Sequence, residues 1–269
     1  MPDERLALCD IDGTLIDQSY QFTDPAIHKA VADIQGAGWV VGLSSDTPYE
    51  GMIRYKDMLG MHGPIIAEKG SVVEWDGSLS YDVEEAAIFA SSYKRIKEAL
   101  GRSDVVVWEG NPVKVITDGI RIGRAGDVVV LMNNLRRCSL GLFPRLVNED
   151  GEMVIDTDLT TQIVEQARTL YPDIPNLGED LSHDYGLLIL AKDSVSKRTG
   201  SQKLLDLCGL EGRFAMVGNS FADYVGDDIA KHYAVNNATD EFKAVADYVA
   251  YTPVTGGVVE IFRGFQTAD

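Results

Sequence analysis

Leu6 to Ile11 is a short, nearly unbroken apolar run that gives way to Asp12-Gly13-Thr14. Such a run, closed by a turn-forming pair, predicts a buried strand and then a sharp turn. From Pro25 to Gln35 the apolar positions Ile27, Val31 and Ile34 recur at helical spacing, with Thr23 or Asp24 as the cap and Pro25 in the first turn. Gly36 and Gly38 end that helix. Trp39 to Leu43 predicts a second strand, a helix runs through about Leu59, and Pro64 to Ala67 predicts a third strand. Strand and helix alternate in the way that builds a parallel sheet with crossover helices.

The pattern then changes. Val72 to Gly77 reads as a hairpin and Glu84 to Leu100 as a helix. Between Val105 and Met153 come several β-rich pieces with Gly or Asn turns, including Val113–Thr117 and Val128–Met132. A helix over Leu159 to Leu170 precedes Pro172 and Pro175. Parallel-sheet pieces resume with strands at Leu187–Leu190, Phe214–Val217 and from Ala234, and helices at Lys197–Cys208 and Phe242–Ala246. The expected architecture is α/β: a Rossmann-like parallel-sheet core from residues 1–82 and 185–269, with an α/β cap inserted at 83–184.

Composition narrows the function. The chain has 269 residues, 45% of them hydrophobic, which suffices for a core domain and a smaller second one. Its net charge of −18 repels phosphate backbones and anionic lipid heads, which argues against nucleic-acid or membrane binding as a main role. A site for an anion must overcome that field with local cations and backbone N–H groups. Cys9, Cys138 and Cys208 are odd in number and widely spaced; they show neither a zinc pattern nor a disulfide framework and suit a reducing compartment. Cys9, inside an apolar run, reads as a core filler rather than a nucleophile. Met1 to Arg5 is polar, with no signal-peptide pattern, and no apolar run is long enough to span a membrane, so a cytoplasmic location is the default expectation.

The chemistry concentrates at strand ends. Asp10 and Asp12 lie at the end of the first strand, the edge where parallel sheets bind ligands. Two close carboxylates repel unless a proton or a cation lies between them. A hard divalent ion with oxygen ligands removes the conflict, and Mg²⁺ is the usual one near phosphate. Gly13 permits the turn, and the Thr14 hydroxyl can donate a hydrogen bond.

Asp10-Ile11-Asp12-Gly13-Thr14-Leu15 resembles the DxDGT signature of the haloacid dehalogenase-like (HAD) superfamily. Ser45, at the end of the second strand, stands where that superfamily places its second-motif hydroxyl; many relatives read Thr-Gly-Arg there, whereas this chain reads Ser45-Asp46-Thr47. Asp193-Ser194-Val195-Ser196-Lys197 is similar to the approach to the third-motif lysine, with Lys203 as runner-up. The fourth motif, usually Gly-Asp-x-x-Asn-Asp, reads Gly218-Asn219-Ser220-Phe221-Ala222-Asp223. The stretches at Pro64–Gly70 and Ala234–Val249 resemble the Cof-type branch, which carries a large α/β cap between the second and third motifs. Sucrose-phosphate, phosphoglycolate and mannosyl-phosphoglycerate phosphatases share that layout.

The resemblance implies a Mg²⁺-dependent phosphatase acting on a small phosphorylated metabolite. Asp10 would be the nucleophile and Asp12 the acid and base. Ser45 and Lys197 would hold the phosphoryl oxygens. The metal would be held by Asp10, the carbonyl of Asp12, Asn219 and Asp223; Asp227 and Asp228, expected on a following helix, read as a solvated acidic face, with help to the metal as the alternative. The cap would read the leaving group. A phosphomutase of the same fold and a non-catalytic phospholigand-binding protein are the alternatives; Asn219 and Ala222 favour the second of these, and retention of both Asp10 and Asp12 opposes it.

Overall fold

The computed structural model describes residues 5–101, 105–168, 177–182, 185–210 and 213–267. Two compact units divide the chain. One joins the residues up to Tyr81 with those from Val195 onward; the other is Asp82–Ser194.

The first unit opens with β1 (Arg5–Cys9), α1 (Ile27–Gly36), β2 (Trp39–Ser44), α2 (Tyr49–Leu59) and β3 (Ile65–Ala67). The hairpin β4 (Val72–Trp75) and β5 (Ser78–Ser80) follows. Leu6 to Cys9 are buried on both faces, as a central strand of a covered parallel sheet requires. Helix α1 begins two residues later than its pattern predicts. Asp24 Oδ1 accepts the Ala26 N–H at 2.8 Å and so shapes the turn before the helix rather than capping its first residues.

The second unit contains α3 (Val83–Leu100), β6 (Val105–Gly110), α4 (Pro112–Thr117), β7 (Val128–Asn133), β8 (Leu140–Val147), β9 (Met153–Val154), α5 (Thr157–Arg168), β10 (Leu177–Ser182) and β11 (Leu187–Lys192). Its sheet runs β10-β11-β8-β7-β6, with β9 beside β8. Phe89, Ile96 and Leu100 of α3 pack on Val130, Met132, Leu140 and Leu142. Two expectations fail here. Val113–Thr117 is helical, because Asn111 caps the Lys114 N–H and Pro112 occupies the first turn; these local signals outweigh the β-branched side chains. The return to the core sheet at 185 also fails: β11 pairs antiparallel with β8 and β10, so the second unit extends through Ser194. The end of the helix expected to reach Leu170, with Pro172 and Pro175, lies outside the described residues.

The chain re-enters the first unit with α6 (Lys197–Cys208), β12 (Phe214–Gly218), β13 (Ala230–Ala234), α7 (Asp240–Val245), β14 (Tyr248–Val249) and α8 (Val254–Thr267). The eight-stranded sheet has the order β14-β13-β12-β1-β2-β3-β4-β5; it is parallel from β14 to β3 and antiparallel through the hairpin. Strand β13 ends at Ala234, where it was expected to begin, because Lys231 and His232 interrupt its apolar pattern. Asp227 and Asp228, expected on a helix, occupy the turn before β13. The order places the C-terminal ends of β12, β1 and β2 side by side. That edge carries Asn219, Asp10 and Ser45.

Candidate active site

Asp10 follows the last residue of β1 and is 5% exposed. Its backbone N–H donates to Val217 O of β12 at 2.9 Å, continuing the ladder one residue past the strand. The chain then turns tightly: the N–H groups of Thr14, Leu15 and Ile16 all donate to Ile11 O. Gly13 has φ +77°, and its carbonyl accepts from Asn237 Nδ2 at 2.8 Å. The turn brings Thr14 Oγ1 back to Asp10 Oδ2 at 3.0 Å.

Lys197 begins α6. Ser196 caps that helix reciprocally: its hydroxyl accepts the Thr199 N–H, and Thr199 Oγ1 accepts the Ser196 N–H. The first turn of α6 lies directly against the bend after β3. A Cβ on Gly200 would stand 2.6 Å from Gly70 Cα, and one on Gly70 would stand 2.2 Å from Ser196 O. This contact aims Lys197 at the strand edge. Its Nζ donates to Asp10 Oδ1 at 2.6 Å and to Asp223 Oδ1 at 2.6 Å. Lys203, the runner-up, lies further along the same helix.

Asp223 is fully buried. Its other oxygen accepts the N–H groups of Asn219 and Ser220 at 2.9 and 3.0 Å, so the loop after β12 folds around its carboxylate. A side chain at Gly218 would overlap that carboxylate, with a Cβ 2.2 Å from Oδ2. Asp228 instead pairs with Arg198, at 3.0 and 2.8 Å, and Asp227 lies beside His232.

Ser45 is buried, and its Oγ accepts the Thr47 N–H at 3.1 Å. Asp12 Oδ2 accepts from Thr47 Oγ1 at 3.2 Å. Thr47 is a site residue that sequence pattern does not expose, since it lies in a loop with no periodicity and reaches Asp12 only through folding.

The electrostatics follow from burial. Loss of water pushes the Asp10 carboxyl up to about 7, against the opposing pull of Lys197 and with further upward pressure from the Asp223 charge. Burial alone would lower the Lys197 ammonium, but the Asp10 and Asp223 carboxylates outweigh it and hold the lysine charged. With Asp10 ionised, two carboxylates share one ammonium, and the centre is then net negative. Burial raises the Cys9 thiol well above its ordinary value, which fits an inert core residue.

That charge excess and the all-oxygen donors of Asp10, Asp223 and the Asn219 amide fit a hard divalent cation. Among the described residues no three His, Cys, Asp or Glu side chains converge as a ready-made cage. Mg²⁺ is ordinarily bound by one or two carboxylates plus substrate phosphate rather than by such a cage, so the donor set suits that ion.

Asp10 is thus a buried carboxylate salt-bridged to a helix-borne lysine at the C-terminal edge of a parallel sheet, the edge where such sheets bind ligands. Residues 7–117 match the family described as haloacid dehalogenase-like hydrolase. The chain is 25% identical to phosphoglycolate phosphatase 1 of Saccharolobus solfataricus over 260 residues, covering 95% of this chain and 93% of that one. It is 22% identical to the phosphoglycolate phosphatase of Sulfolobus acidocaldarius, covering 98% of each. The fold is similar to the crystal structure of Thermoplasma acidophilum 0175, with TM-score 0.67, 20% identity and 98% of both chains covered. Over residues 7–117 the chain is thus similar to the haloacid dehalogenase-like hydrolases.

Proposed function

We propose that this protein is a phosphatase that removes the phosphoryl group from a small phosphorylated metabolite, of the phosphoglycolate or sugar-phosphate kind, through an aspartyl-phosphate on Asp10. The observation that carries the reading is the Asp10 carboxylate, fixed by Thr14 on one oxygen and Lys197 on the other at the ligand-binding edge of the sheet. Its two relatives named as phosphoglycolate phosphatases support the substrate class. The free cysteines suit the cytoplasm.

In the first step an Asp10 oxygen bonds to phosphorus as the bond to the leaving oxygen breaks, and Asp12 gives that oxygen its proton. In the second step Asp12, now a carboxylate, takes a proton from water as the water oxygen bonds to phosphorus. The bond from phosphorus to Asp10 breaks, which releases phosphate and restores both aspartates. Lys197 neutralises charge on the transferring group, and Ser45 offers its hydroxyl to a phosphoryl oxygen. Mg²⁺, held by Asp10, the Asp12 carbonyl, Asn219 and Asp223, would screen the anionic nucleophile from the anionic phosphate.

The test is phosphate release from a panel of phosphorylated metabolites by wild type and Asp10→Asn. The variant is expected to lose turnover by at least about a thousandfold, since it lacks the nucleophile, while it keeps a wild-type circular dichroism spectrum. Near-wild-type turnover in a folded Asp10→Asn protein overturns the reading.

A further inference from the structure

Asp12 has a demanding task in the proposed mechanism. It must present one oxygen to the leaving group and later the same carboxyl to water, so its rotamer has to be held through a change of protonation. Thr14 and Lys197 both reach Asp10. Thr47 donates a hydrogen bond to Asp12: its Oγ1 lies 3.2 Å from Asp12 Oδ2 across 35 residues of chain.

Thr47 is itself held from three sides. Its N–H donates to Ser45 Oγ at 3.1 Å, and its carbonyl accepts the Glu68 N–H at 3.1 Å. Its methyl faces Gly51 in the first turn of α2, where a Cβ would stand 3.0 Å from Thr47 Cγ2. A larger residue at position 51 would press on that methyl. Backbone and side chain are therefore both fixed, which is what a residue needs in order to impose an orientation on its neighbour.

The chemistry of a hydroxyl also fits. It donates to a carboxylate and can turn to accept from a protonated carboxyl. A guanidinium, the group common in relatives at this place in the second motif, only donates. Thr47 can keep the same contact through both halves of the reaction.

We infer that Thr47 is the positioning residue for Asp12, holding the general acid toward the leaving oxygen through the Thr47–Asp12 hydrogen bond. The inference rests on the phosphatase reading and on the acid role given there to Asp12. It makes a specific demand: loss of the Thr47 hydroxyl must hurt reactions that need a proton on the leaving group far more than reactions that do not.

The experiment measures kcat/KM for phosphate release from phosphoglycolate, whose alkoxide must be protonated, and from p-nitrophenyl phosphate, whose phenolate leaves unaided. Wild type, Thr47→Val, Thr47→Ser and Asp12→Asn are compared, with melting temperatures recorded. kcat/KM reports only steps through phosphoryl transfer to Asp10, so the later role of Asp12 with water does not enter. Thr47→Val should lower kcat/KM on phosphoglycolate by about ten- to hundredfold, as expected for a displaced catalytic group, and on p-nitrophenyl phosphate by less than about threefold. Thr47→Ser, which keeps the hydroxyl, should stay near wild type on both. Asp12→Asn should show the same contrast more strongly.

Equal losses on the two esters in Thr47→Val, no loss on either, or failure of Thr47→Ser to preserve activity overturns the inference. A contrast in Asp12→Asn without one in Thr47→Val overturns it while leaving the mechanism intact. No contrast in Asp12→Asn removes the acid role itself, and no release by wild type from either ester or from any phosphorylated metabolite of the panel removes the phosphatase reading.

Discussion

Gly13 lies against Asn219: a Cβ built on Gly13 would stand 2.3 Å from Asn219 Nδ2. The turn after β1 and the loop after β12 therefore touch at a point where only a hydrogen fits. Gly13 also has φ +77°, a conformation that side chains disfavour. The DxDGT turn and the fourth-motif loop are held in register by the absence of a side chain.

Gly13→Ala tests this contact. The left-handed backbone alone costs about 1–2 kcal/mol for a residue with a Cβ, and the Asn219 amide must also move. The variant should unfold at lower urea, with an unchanged denaturant slope, and should lose phosphate release disproportionately, since Asp10 and Asp12 flank the turn. Gly13→Ala with Asn219→Ala should recover part of the stability. A single variant as stable and active as wild type would show that the contact does not constrain the site.

The share of this arrangement that could be read in advance follows from how local each signal is. Asp10 was legible because an apolar strand ends there in a polar, Gly-containing turn. Lys197 was singled out only through the resemblance of Asp193–Lys197 to a third-motif approach, whereas the helix itself was legible from its periodicity, and α6 spans the expected Lys197–Cys208. Strand β11 was legible as a strand but not as a member of the second sheet, since Leu187–Leu190 looks the same beside either partner. Val113–Thr117 misled because β-branched residues outnumber the capping signals there. Helix α8 has no reading from pattern because Gly256, Gly257 and Gly264 interrupt it; the stacking of Phe265 on Trp39, with centroids 4.6 Å apart, is a tertiary fact. Thr47 belongs with it: a loop residue becomes meaningful only when folding brings Asp12 to it.

His232 gives a prediction about pH. It is fully buried in β13, and its Nε2 accepts the Val225 N–H at 3.1 Å, which places the ring proton on Nδ1, 3.6 Å from Asp227 Oδ1. Burial holds the imidazole below its ordinary value of 6.5, against the upward pull of Asp227 and Asp247. The fold therefore prefers the neutral ring, while the unfolded chain takes up a proton near pH 6.5. The contribution to stability is complete above that pH and is lost as pH falls through 6.5 toward the folded value. His232→Gln retains an acceptor for Val225 without the titration. Urea midpoints at pH 8, 6.5 and 5 should fall less steeply for the variant than for wild type. Parallel curves would show that His232 does not contribute to acid sensitivity.

Asn219 gives the prediction about the metal. A carboxylate here would add a full negative charge to the oxygen donors, whereas the amide offers a neutral oxygen, and hard cations bind more weakly as ligand charge falls. The two nearby acids do not make up the difference, because Asp228 is committed to Arg198 and Asp227 lies beside His232. Asn219→Asp should therefore lower the Mg²⁺ concentration for half-maximal phosphate release. A tenfold shift corresponds to about 1.4 kcal/mol of metal-binding free energy. The added charge is also borne by a residue whose backbone N–H is bonded to Asp223 Oδ2, close enough to repel that carboxylate, so in the absence of metal the variant should melt at a lower temperature than wild type. Saturating Mg²⁺ should then raise its melting temperature by more than it raises that of wild type. The decisive measurement pairs a Mg²⁺ titration of activity with melting curves at zero and saturating Mg²⁺, all at fixed ionic strength. Equal or weaker Mg²⁺ dependence in Asn219→Asp, with equal thermal response, would mean that Asn219 does not leave the site short of charge.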